Sequence, residues 1–308
     1  MIFYYVDNMK RITTKISVII LIAVLSACNK PNPIELERDN TDDAYSLEII
    51  ATDPSQFDYQ NGYDSTGVAS PLPRASSEFI ITLNKNSGGM NQSHGNRFGI
   101  ATAVFYDKSK PIYNQNNRLV GYLTKDLGEV KFNNFPAFKR QFHVRLRQGN
   151  SFVDSLAGIR YHLPLRPMMN LGENINISLT SNNNILFQST INIPEEITGQ
   201  VEKIVDQSNN LRGINLTWNG NNSGKIEIII GGFIPQNISP LPLLRIKVND
   251  DGKFILPKNI IDQVPYQNFE SLVFSFIRRI EKSEQSNSLS DNYIAAQSIH
   301  NIKFSINN

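Results

Sequence analysis

Apolar and polar residues alternate one for one through much of this chain. Phe142, Val144 and Leu146 are separated by His143, Arg145 and Arg147; Ile214, Leu216 and Trp218 by Asn215 and Thr217; Ile302, Phe304 and Ile306 by Lys303 and Ser305. Successive side chains of an extended strand point to opposite faces, so a period of two predicts half-buried strands. Further stretches rich in Ile, Val, Phe and Thr lie at 78–84, 98–106, 174–180, 185–193, 225–232, 243–248 and 270–277. Turn-forming clusters such as Ser181-Asn182-Asn183-Asn184 and Asn249-Asp250-Asp251-Gly252 separate them.

Many short strands joined by Asn, Asp and Gly turns predict an all-β chain of stacked sheets, a β-sandwich architecture. Helix is confined to the stretch 256–264, where Pro257 suits a first turn. Pro194 closes the strand 185–193, a polar acidic stretch follows, and a new series of strands begins near Leu211. The boundary is therefore placed at Ile193–Gly199, giving an N-terminal sandwich domain over 45–194 and a C-terminal one over 195–308.

The opening residues break the pattern. Lys10, Arg11 and Lys15 precede the apolar run Ile16–Leu25, the order of a secretory signal. A bilayer needs roughly 20 apolar residues, so this run is too short to span one. Leu25-Ser26-Ala27-Cys28 resembles the lipobox of bacterial lipoproteins. That resemblance implies a signal peptide over 1–27, a lipid on the Cys28 thiol, and a flexible tether over 28–44. An ordinary signal peptide or a chance buried cysteine is the alternative. Met9-Lys10-Arg11 begins a signal of ordinary length, so translation is expected to start at Met9. Asn29 is not the Asp that resembles an inner-membrane retention signal, which favours the outer membrane.

Cys28 is the one cysteine in 308 residues, so no disulfide, thiolate metal site or catalytic cysteine is expected beyond it. The formal charge is +2, and Lys10, Arg11 and Lys15 less Asp7 account for all of it. A mature chain near neutrality argues against nucleic acid as a partner. The partners left are the membrane, through the lipid, and an anionic glycan, a lipid or another envelope protein.

The stretch Gly213–Gly232, with Ile214, Leu216 and Trp218 before a turn and a second strand, resembles the early strands of fibronectin-type or immunoglobulin-like sandwiches. Trp218 shares the parity of Ile214 and Leu216 and is read as a core anchor, not a ligand platform. Asn249–Ile261 is similar to a phrase of uncharacterised bacterial surface lipoproteins, which brings no activity with it.

Candidate chemistry is sparse. Asn249 to Gly252 gathers oxygen ligands suited to calcium, but Asx and Gly residues also make tight hairpins, the reading preferred here. Asp64-Ser65-Thr66-Gly67 departs from an aspartic-protease motif and lacks a second copy; Ser87–Gly99 is glycine-rich without a phosphate-loop pattern. His94, His143, His162 and His300 show no metal-ligand spacing, so neither metal nor cofactor is expected. The most uneven stretch, 139–167, holds Lys139, Arg140, Arg145, Arg147, Arg160 and Arg166 against Asp154 alone. His143, Arg145 and Arg147 share one strand face and are the candidate ligand site. A solvated face that guards the strand against edge pairing, or one packed on an acidic surface, is the alternative. The function expected is a membrane-anchored envelope lipoprotein that binds or builds without catalysing; the other reading is a hydrolase or carbohydrate-active enzyme with a site on its loops.

Overall fold

A computed structural model describes residues 45–49, 59–60, 75–87, 97–113, 117, 119–148, 151–165, 173–222, 224–233, 240–264, 266–286 and 288–305. The side chains of residues 49, 59, 60, 145–148, 151 and 152 are outside that description. So are the expected signal, Cys28, the tether, the Asp64–Gly67 motif, residues 88–96 and Arg166.

The described chain is nearly all strand. The first half gives β1 (Ser46–Ile49), β2 (Tyr59–Gln60), β3 (Ser77–Ser87), β4 (Arg97–Tyr113), β5 (Leu119–Thr124), β6 (Glu129–Phe132), β7 (Phe135–Pro136), β8 (Phe138–Gln148) and β9 (Ser151–Leu165). The second gives β10 (Asn174–Ser181), β11 (Asn184–Asn192), β12 (Gly199–Val205), β13 (Leu211–Trp218), β14 (Lys225–Phe233), β15 (Leu241–Asn249), β16 (Lys253–Pro257), β17 (Ser271–Glu284) and β18 (Asn292–Phe304). Every run read as a strand from its pattern lies in or overlaps one of these. The expected helix is a single turn, α1 (Lys258–Ile261), with Pro257 at its N-cap and Ile260 and Ile261 buried.

One large sheet runs β1-β15-β14-β17-β18-β3-β4-β9-β8-β2, with β5 beside β4. Its pairings are antiparallel except that of β18 with β3. Flat, these ten strands would measure about 43 Å across. Yet β1 and β2, at opposite edges, are joined by a segment that reaches no more than about 36 Å, so the sheet must curl. Two smaller sheets, β11-β10-β6-β7 and β12-β13-β16, complete the fold.

Each smaller sheet closes a core against part of the large one. Phe79, Ile81, Ala103, Phe105 and Tyr161 meet Phe132, Ile175, Ile177 and Leu179 in one cluster. Ile228, Ile230, Phe274 and Phe276 meet Ile214, Leu216 and Trp218 in the other. β18 serves both: Ile294 and Ala296 belong to the first, while Ile302 and Phe304 pack against the second. The segment read as a boundary is likewise packed, with Ile193 in the first cluster and Ile197 in the second.

Asparagine sets two of the turns. Asn133 and Asn134 (φ 47° and 68°) join β6 to β7, and Asn182 and Asn183 (φ 49° and 64°) join β10 to β11. Paired left-handed residues are what a two-residue hairpin needs to match strand twist, and Asn tolerates them. The hairpin expected at Asn249–Gly252 is not one. β15 pairs with β14 and β1, whereas β16 pairs with β13 in another sheet. Gly252, at φ 96°, lets the chain cross between sheets there.

Candidate functional site

The sequence-derived site falls on β8, next to the edge strand β2. His143 is exposed and lies opposite Leu156, which is 55 % exposed. The backbones of Arg145 and Arg147 continue β8; their side chains lie outside the described ones. The register sets Asp154, the acid of this segment, opposite Arg145. Cys28 lies outside the described residues.

The rest of the basic segment is sorted by strand parity. Lys139 shares a face with His143 and pairs with Asp126 at 2.7 Å. The same carboxylate accepts the Tyr161 hydroxyl at 2.7 Å, and burial together with this bond raises the phenol's pKa. The other face carries Phe138, Arg140 and Phe142 on β8 and, across the ladder, His162, Arg160 and Gly158 on β9. Arg140 and Arg160 are direct cross-strand partners. The Arg160 guanidinium lies 4.7 Å from the centre of the Phe142 ring, so Phe142 is covered by a cation. Burial, then the charges of Arg140 and Arg160, holds His162 below its ordinary pKa. Gly158 is required where the ladder slips beside Phe142: its φ is 121°, and a Cβ would meet Thr124 Oγ1 at 2.4 Å.

Between the two cores the structure joins groups that sequence spacing does not connect. Ser87 Oγ and His300 Nε2 are 2.8 Å apart, and the Gly199 amide donates to His300 Nδ1 at 2.8 Å. Because Nδ1 accepts, the neutral ring carries its proton on Nε2 and donates it to the serine. Burial, reinforced by Lys85, lowers the imidazole's pKa to about 4. A general base must offer Nε2 as an acceptor to the nucleophile's hydroxyl; here the polarity is reversed. The pair instead ties down the segment after β11. The Ile197 amide donates to Ser298 Oγ at 3.0 Å, and Glu196 bridges Lys85 at 3.1 Å and Arg97 at 3.0 Å.

At the sheet crossing, Asp250 takes Arg278 in a forked pair, Nε to Oδ2 at 2.7 Å and Nη2 to Oδ1 at 2.9 Å, and accepts Trp218 Nε1 at 2.8 Å. Both charged side chains are buried, and Arg278 Nη2 also donates to the Asn219 carbonyl at 2.6 Å. Asp250 is thus neither a hairpin residue nor a calcium ligand but the acceptor of a buried network. The signal was in the sequence as Arg278, a charge inside the apolar run of β17.

A second polar line crosses the opposite face of the large sheet. Glu48 meets Arg245 at 2.7 Å, Arg245 meets Glu227 at 2.6 Å, and Glu227 meets Arg279 at 3.5 Å. Arg279 donates to Gln297 at 2.8 Å, and Gln297 to Thr82 at 3.0 Å. These are acids and bases spent on one another. Among the described residues no group of three or more His, Cys, Asp or Glu is placed to hold a metal ion, and no helix is long and apolar enough to cross a membrane.

Compared with family models, curated proteins and solved structures, the chain finds no match.

Proposed function

We propose that the chain is a non-enzymatic envelope lipoprotein, held to the outer membrane by lipid on Cys28, whose all-β body contacts an anionic glycan, a lipid or another envelope protein. The reading rests on Leu25-Ser26-Ala27-Cys28 behind a short apolar run, with no second cysteine to serve another purpose. A thiolate is the nucleophile that accepts a diacylglyceryl group, and acyl chains anchor by about 0.8 kcal/mol per buried CH₂. His143, Arg145 and Arg147 on β8 are the proposed contact, since guanidinium groups at two-residue spacing suit carboxylates and phosphates.

The non-enzymatic half of the reading is supported by the reversed polarity of Ser87 and His300, the described serine and histidine in hydrogen-bond contact. In a bacterial host, Cys28→Ser is expected to leave the precursor uncleaved or soluble. Unchanged processing and unchanged detergent partitioning in that variant would refute the anchor.

A further inference from the structure

Arg140 and Arg160 stand directly opposite each other across the β8–β9 ladder, the arrangement in which like charges repel most. No described carboxylate relieves them. Asp126 is engaged on the other face by Lys139 and Tyr161, and Asp154 lies farther along the hairpin opposite Arg145. Arg160 Nε is moreover buried without a hydrogen-bond partner. Arg278, a buried base of the same large sheet, is by contrast matched with Asp250. An unmatched pair on a rigid ladder, with an uncompensated donor, is a cost that an external anion removes.

The surroundings narrow the anion's chemistry. The flat face of the Arg160 guanidinium is taken by Phe142, which fixes its orientation before any ligand arrives. On the same face, Phe138 lies opposite His162 and is 61 % exposed. An exposed ring beside the preordered Arg160 guanidinium and its partner Arg140 offers an apolar shelf and an anion clamp together. An acidic sugar fits both, its carboxylate on the arginines and the C–H face of its ring on Phe138.

We infer that Arg140, Arg160 and His162, with Phe138 as the shelf, form a binding site for the carboxylate of an acidic sugar. The site lies on the opposite face of β8 from His143. It rests on the reading of the chain as a binding protein but not on lipidation, and a different pair of arginines carries it.

The test is calorimetric titration of the full chain with trigalacturonate, using maltotriose and inorganic phosphate as controls. Wild type is expected to bind trigalacturonate and to ignore maltotriose, with phosphate much weaker. Arg140→Ala and Arg160→Lys should each weaken binding by about tenfold or more. Arg140→Ala should not lower the melting temperature, because it relieves a repulsion, whereas loss of a purely structural arginine would lower it. Phe138→Ala should weaken trigalacturonate while leaving phosphate unchanged. Arg145→Ala with Arg147→Ala should leave trigalacturonate binding intact.

Four results would overturn the site: no binding by wild type, equal binding of maltotriose, phosphate binding as tight as trigalacturonate, or full affinity in both Arg140→Ala and Arg160→Lys. Loss of binding only in the Arg145/Arg147 double variant would also overturn it, while leaving the broader reading of a binding protein in place.

Discussion

At the residue scale, the buried polar groups carry more consequence than the exposed ones. Asp250 holds a guanidinium and an indole that have no water to turn to, so removing it strands a buried charge. Asp250→Ala is expected to cost about 3 to 5 kcal/mol, measured by denaturant unfolding. A loss below about 1 kcal/mol would mean that the forked pair is not formed. His300 yields a prediction in pH. Its folded pKa of about 4 lies below the ordinary 6.5, so between these values the unfolded chain binds more protons. Stability should therefore be fully present above about pH 6.5, fall as pH drops towards 4, and level off below it. In His300→Gln that portion of the pH dependence should disappear; an unchanged profile would assign it to other groups. Trp218 was legible as a core residue from parity alone, because it follows Ile214 and Leu216 on one face. Its hydrogen bond to Asp250 was not, since thirty-two positions separate the two.

Element by element, alternation predicted strands well because a strand's period is a local property. Turns were legible where their backbone demands a residue type. The two-residue turn Asn182-Asn183 needs positive φ at both positions, and a left-handed conformation costs most other residues about 1 to 2 kcal/mol. Asn182→Ala with Asn183→Ala should lower stability by roughly that amount per site, whereas Asn183→Gly should be tolerated. A denaturation midpoint unaffected by the double alanine change would show that the turn is not of this type. What local pattern does not contain is the partner of each strand. Asn249–Gly252 has the composition of a hairpin, yet Gly252 releases β16 to a different sheet. The same limit hid the anion site: Arg140 and Arg160 were visible as two of six bases, but only the β8–β9 register makes them opposite each other. Parity puts Arg140 in the row of Phe142 and Val144, a charge among the apolar positions of β8.

For the whole molecule, the all-β class follows from composition and period, while the joining of its parts does not. β18 comes last among the strands, yet it pairs in parallel with β3 and contributes to both cores. Nothing in a window of ten or twenty residues foretells a contact across more than two hundred. The connection at Ile193–Gly199 reads as a boundary from its sequence because Pro194 ends a strand and a polar acidic stretch follows. Its two isoleucines pack in the two cores, and its amides at Ile197 and Gly199 donate to Ser298 and His300 of β18. The functional reading depends on the other end of the chain, where Cys28 follows an apolar run too short to span a bilayer. The most direct test is the intact mass of the chain extracted from membranes of a bacterial host. The lipoprotein assignment predicts a species beginning at Cys28 and heavier than its polypeptide by a diacylglyceryl group, with or without a further acyl chain. A mature protein cut elsewhere, or one beginning at Cys28 with no added lipid, would contradict it.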